Sequence, residues 1–67
     1  MNSILNDRNM EELNGKQVQL SIAGAHFFGI FNHNYTSFRI DNIGDFCPAC
    51  FEVEILQGCF ILHQVKL

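Results

Sequence analysis

The residues best suited to chemistry lie in the second half of the chain. Cys47-Pro48-Ala49-Cys50 puts two thiols three positions apart around a proline. That spacing lets both sulfurs of a turn reach one zinc ion. Cys59 and His63 follow and complete a set of four candidate ligands on paper. On an extended strand, however, Cys59 and His63 stand ~13 Å apart, too far to share one tetrahedral ion without a bend. The thiol pair could also act as a redox dithiol, but activating a thiol calls for a helix start, and a strand is expected to follow instead. The plainest reading is a pair of structural thiols on a loop, with no metal and no cofactor.

The other polar candidates point to binding rather than catalysis. His26, His33 and His63 have no serine and carboxylate at a spacing that suggests a nucleophile and its base. A chain of 67 residues can rarely enclose a catalytic pocket alone, so no enzyme is expected. In His33-Asn34-Tyr35 the tyrosine could stack on an unpaired base while Asn34 offers a donor and an acceptor to its edge. The alternative is that asparagine and tyrosine simply populate a turn.

The elements that must position these residues follow from periodicity. Residues 3–13 place Ile4, Leu5, Arg8 and Glu12 near helical spacing, with Met10 and Leu13 adding apolar surface. Asn2 or Ser3 is positioned to cap this helix, and Asn14-Gly15 to stop it. The period then changes to two. Val18, Leu20 and Ile22 alternate with polar residues in a first strand. Gly24-Ala25 turns the chain into a second strand over residues 26–32, apolar on both faces, where Phe28 and Ile30 lie opposite Phe27 and Phe31. Residues 32–37 read as a loop, Phe38 and Ile40 mark a third strand, and residues 42–49 read as a connection. Phe51, Val53 and Ile55 alternate with glutamates in a fourth strand, Gln57-Gly58 is a tight turn, and residues 59–67 form a fifth. One helix (residues 1–14) and five short strands (16–67) with no helix between them imply a single domain. Its expected fold is mainly β, a strongly bent five-stranded antiparallel sheet closing into a small barrel, which removes exposed edges.

Composition limits the partners. Apolar residues make up 48% and charged residues only 16%, with seven phenylalanines. A chain this short hides only ~60% of its surface on folding, so part of that apolar content is expected to meet a partner, most simply another copy. The net charge is -3, and the four basic residues, Arg8, Lys16, Arg39 and Lys66, are scattered. No basic stripe exists to track a duplex backbone. Three cysteines, an odd number, fit a reducing compartment. The start lacks a secretory pattern, and no apolar run approaches ~20 residues. A cytoplasmic protein without membrane contact is expected.

Glycine and apolar spacing across most of the chain resembles the Sm-like family of ring-forming small barrels. The first motif is similar to Val18-Gln19-Leu20-Ser21-Ile22-Ala23-Gly24-Ala25-His26-Phe27-Phe28-Gly29-Ile30-Phe31, with Gly24 and Gly29 in place, and the second to Leu56-Gln57-Gly58 followed by an apolar strand. The resemblance implies an Sm-like or SH3-like barrel in a homo-oligomer that binds single-stranded RNA through His33, Asn34, Tyr35, Gln57 and Gly58. In that family the fourth strand of one subunit pairs with the fifth strand of the next. Here the fifth strand is apolar on both parities, which points to Phe60 and Leu62 as contact residues. The chain departs from the pattern where RNA is bound. The loop after the second strand has no aspartate, and Gln57 stands where a basic residue is typical. Two alternatives remain: a small protein-binding regulator or inhibitor using an apolar and acidic surface, and a module stabilised by zinc on Cys47 and Cys50.

Overall fold

The helix begins where its cap chemistry is satisfied. The Asn6 side chain accepts from the Asn9 N–H at 3.0 Å, and the Asn9 side chain accepts from the Asn6 N–H at 2.8 Å. This reciprocal box starts the helix at Asp7. The expected helix over residues 3–13, capped by Asn2 or Ser3, is therefore shorter, and the released residues pair as a strand. In the computed structural model, which describes residues 2–65, the order is β1 (Ser3–Ile4), α1 (Asp7–Leu13), β2 (Gln17–Ile22), β3 (Ala25–Asn34), β4 (Ser37–Ile40), β5 (Gly44–Phe46), a 3-10 turn (Pro48–Cys50), β6 (Phe51–Leu56) and β7 (Cys59–Gln64). Lys66 and Leu67, the end of the expected fifth strand, lie outside the described residues.

The seven strands form one sheet in the order β1-β6-β7-β2-β3-β4-β5. All neighbours are antiparallel except β2 and β7, which run parallel from Val18 opposite Phe60 to Ser21 opposite His63. Two hairpins rest on consecutive left-handed residues, Ala23 and Gly24 (φ 50 and 81) and Gln57 and Gly58 (φ 51 and 80). This is the turn geometry that matches strand twist. The first lies one residue earlier than expected, and Ala25 already belongs to β3.

Strand β3 bends the sheet. Residues 25–30 pair with β2, whereas residues 31–34 pair with β4. The bend brings Gly29 against β4. A Cβ there would sit 2.5 Å from Ile40 Cγ2 and 3.0 Å from the Asp41 carbonyl oxygen, so the close approach requires glycine. The concave side encloses Leu5, Met10, Leu13, Val18, Leu20, Phe31, Phe38, Ile40, Phe51, Val53 and Leu62. At its centre Phe38 stacks on Phe31 and Phe46, at 4.9 and 5.6 Å between ring centroids, and meets Phe51 edge-on at 5.5 Å.

The expected five-stranded closed antiparallel barrel is corrected in three respects: among the described residues there are seven strands, one parallel pair and no closing ladder. Strand β5 lies in what reads as a connection, because three residues are too few to show a period. The curl is nonetheless nearly complete. Strand β5 ends one side of the sheet, β6 lies next to the other end, and only residues 47–50 separate them along the chain. Phe46 of β5 and Phe51 of β6 pack edge-on across this seam at 5.6 Å. Side chains and a covalent turn join the ends instead of backbone hydrogen bonds.

Strand β7 is internal, with β6 on one edge and β2 on the other. Its edges are thus both occupied within one chain, unlike the edge pairing that the family resemblance implies. Leu62 is fully buried in the chain's own core, and Phe60 is half-buried against it. The two-sided apolarity of this strand has an intramolecular origin on the Leu62 side.

Candidate functional site

Cross-strand partners share a face of a sheet, so the register defines what the convex side presents. One row across it is Ile4, Glu52, His63, Ser21 and His26. The next is Glu54, Ile61, Gln19 and Phe28. Beyond these, Leu56 stands opposite Cys59, and Gln17 opposite Ile30. The first row is polar apart from the exposed Ile4 and is tied to the second: His63 Nε2 lies 2.7 Å from Glu54 Oε1 of the neighbouring row. Gln19 Nε2 also approaches His26 Nδ1 at 2.8 Å.

The second and third rows differ in character. Phe28 is 61% exposed, Ile30 is exposed two residues along the same strand, and Leu56 is exposed farther across the face on β6. Gln17, Gln19, Phe28, Gly58, Cys59 and Phe60 line a shallow cleft of about 380 Å³. No lining residue is charged. Lys16 stands at its margin, with Nζ 5.1 Å from the centre of the Phe60 ring. Such a cleft can take an apolar side chain while the Gln17 amide and the Gln19 side-chain oxygen, whose Nε2 is held by His26, satisfy a neighbouring backbone group. Strand periodicity locates Phe28 and Ile30 opposite the core parity, but Gln17, Gln19, Leu56 and Cys59 join them only through register, which no single strand reveals.

The loop residues expected to bind RNA are placed differently from one another. Tyr35 is 92% exposed at the tip of the hairpin between β3 and β4, with its backbone left-handed (φ 51). Asn34 is exposed, and its carbonyl accepts from Ser37 Oγ at 3.3 Å. His33 is half-buried: its N–H donates to Asn14 Oδ1 at 2.8 Å, and its Nδ1 lies 3.5 Å from Glu11 Oε1. The residues read as a loop from position 32 are thus mostly strand: Asn14 holds the His33 N–H, Asp41 Oδ1 accepts from Asn32 Nδ2 at 2.9 Å, and the buried His33 Nε2 has no hydrogen-bond partner among the described residues. Tyr35 and His33 line a second, open cleft together with Asp7 and Glu11. Gln57 and Gly58 turn at the far end of β6 and β7, and Gly58 borders the uncharged cleft instead. The two loops thus border different clefts.

Cys47, Cys50 and Cys59 are free thiols. The Cys50 N–H donates to the Cys47 carbonyl at 3.1 Å and closes the 3-10 turn. A helical turn, not a strand, therefore directly follows Cys47. Burial, with the neighbouring Cys47 thiol adding to it, pushes the Cys50 thiol up from its ordinary pKa. Cys59 lies opposite Leu56 on the convex face, and His63 is engaged by Glu54. The four ligands drawn from the sequence are not brought together, and among the described residues no three His, Cys, Asp or Glu side chains converge as a metal site. No described helix is long and apolar enough to cross a membrane. No family model matches the chain, and no curated protein or solved structure is significantly similar to it.

Proposed function

We propose that this chain is a non-catalytic binding module that recognises another protein through the convex face of its sheet. The exposure of Phe28 beside the uncharged cleft carries this reading. This largely exposed aromatic ring has Ile30 two residues along the same strand and lines the cleft with Cys59 and Phe60, and such patches on small domains mark contact surfaces. Glu52 and Glu54 flank the patch on the β6 side, so the favoured partner segment carries apolar side chains next to lysine or arginine. Peptides selected from a random library should show that pattern, perturb the amide resonances of Gln19, Phe28 and Ile61, and lose binding to Phe28→Asp. Selected peptides that map elsewhere, or bind Phe28→Asp equally, would show the reading to be wrong.

A second reading is single-stranded RNA binding by an Sm-like oligomer, favoured by the exposed ring of Tyr35 at a hairpin tip. Electrostatics weigh against it, because Asp7 and Glu11 line the adjoining cleft and oppose phosphates. Titration of uridine-rich and adenine-rich oligomers at low salt, with wild type and Tyr35→Ala, separates the two. Tight binding of wild type alone would reinstate the RNA reading.

A further inference from the structure

We propose that Cys47 and Cys50 are a reversible dithiol–disulfide pair, oxidised by a low-molecular-weight disulfide of the glutathione type, which locks the seam between the two ends of the curled sheet. This inference is independent of which partner the convex face binds. Its basis is the turn. With the Cys50 N–H donating to the Cys47 carbonyl, the first and fourth Cα atoms lie within about 7 Å, as in any turn so closed. Disulfides span about 4.4–6.8 Å between Cα atoms, so the bridge requires rotation of side chains and little movement of backbone. Pro48 fixes its own φ inside the turn and holds the two cysteines in this relation when reduced.

The two thiols have different surroundings, and these assign their roles. Cys47 is exposed, whereas Cys50 is half-buried and packs against the core. The Cys47 thiolate attacks one sulfur of the oxidant, RSSR; the Cys47–SR bond forms, the S–S bond of the oxidant breaks, and one RSH leaves. The Cys50 thiol then loses its proton to solvent and attacks the Cys47 sulfur, expelling the second RSH and leaving the intramolecular disulfide. Two electrons pass from the two protein thiols to RSSR. A thiol raised by burial, as Cys50 is, suits the resolving role better than the attacking one.

The bond would act on the seam itself. The turn separates Phe46 from Phe51, which pack together across it, and the Cys50 carbonyl accepts from the Val65 N–H at 2.8 Å. Oxidation therefore restrains β5, β6 and Val65, the residue that follows β7, at once.

The test uses the full chain as Cys59→Ser, so that the third thiol is removed. It is equilibrated in glutathione buffers from fully reducing to strongly oxidising, quenched with an alkylating agent and analysed by mass and peptide mapping. The expected result is a monomer with Cys47 linked to Cys50, reversed by reductant, with slower amide exchange at Phe46 and Val65 in the oxidised form. With Cys50→Ser added, the reaction should stop at a glutathione adduct on Cys47. Both thiols remaining fully alkylatable under oxidising conditions would overturn the proposal. So would a stable adduct on Cys47 with Cys50 intact, or bridges formed only between chains.

Discussion

Gly29→Ala isolates the bend that makes this sheet curl. The added methyl would meet Ile40 Cγ2 at 2.5 Å and the Asp41 carbonyl at 3.0 Å. Neither yields easily, since Ile40 is fully buried and stiff at its branch point, and the second atom is backbone. Overpacking of this kind costs about 1–3 kcal/mol. Gly29 does not have a positive φ, so alanine also restrains the unfolded chain and returns about 0.4–1 kcal/mol. The net expectation is a loss of roughly 1–2 kcal/mol. For a domain this size each kcal/mol lowers the melting temperature by about 4–8 °C. Urea unfolding followed by circular dichroism measures the loss, and an unchanged m-value shows that it arises from stability alone. Adding Ile40→Leu, which removes the branch nearest Gly29, should recover part of it. A Gly29→Ala protein as stable as wild type would refute the argument that β3 requires glycine for its approach to β4.

Four further substitutions, one of them a control, probe other parts of the same logic. Asn6→Ala should remove the capping box and cost about 1 kcal/mol in chemical unfolding, whereas Asn2→Ala should change little. Leu62→Asp should abolish folding, seen as lost β signal in circular dichroism, because an unpaired charge in the core costs several kcal/mol; a folded but dissociated protein would instead place Leu62 at a contact between chains. Tyr35→Gly should raise stability by roughly 0.5 kcal/mol or more, because the left-handed backbone costs a side-chain-bearing residue about 1–2 kcal/mol. No gain in thermal unfolding would mean that the Tyr35 ring makes contacts which offset the strain.

Much of this fold is legible in the alternation of side chains. Val18, Leu20, Phe51 and Val53 announce their strands because one face meets the core and the other meets water. Gly24 and Gly58 announce their turns because both occupy left-handed positions. Three features escape that logic. Ser3 and Ile4 read as helix because the capping box at Asn6 and Asn9 depends on which asparagine turns inward. Strand β5 is too short to show alternation, although its Phe46 completes the aromatic cluster. Asn32 and His33 look like loop because they are polar, yet Asp41 engages the Asn32 side chain and Asn14 the His33 N–H within a strand. The convex cleft escaped for a different reason: Gln17, Gln19, Phe28 and Cys59 come from three strands, one of them parallel to its neighbour. Only the register brings them together.

The convex face also allows an affinity to be worked out. An aromatic side chain carries about 150–250 Å² of surface, and Phe28 is 61% exposed. Covering the exposed part at about 25 cal/mol per Å² is worth roughly 2–4 kcal/mol. Association itself costs an estimated 4–15 kcal/mol, so Phe28 alone cannot hold a partner, and Ile30 and the cleft lined by Cys59 and Phe60 must be covered with it. Phe28→Ala should therefore weaken binding of a selected peptide by roughly 30- to 1,000-fold, the equivalent of that free energy, measured by calorimetric titration. Its effect on stability should stay within about 0.5 kcal/mol, as for surface residues generally. Gln19→Ala, which removes a hydrogen-bonding group at the cleft and leaves the apolar patch intact, should cost much less, about 0.5–1.5 kcal/mol. Were Gln19→Ala the more damaging of the two, the cleft would be reading polar backbone and not an apolar anchor, and the assignment of Phe28 as the centre of the contact would fail.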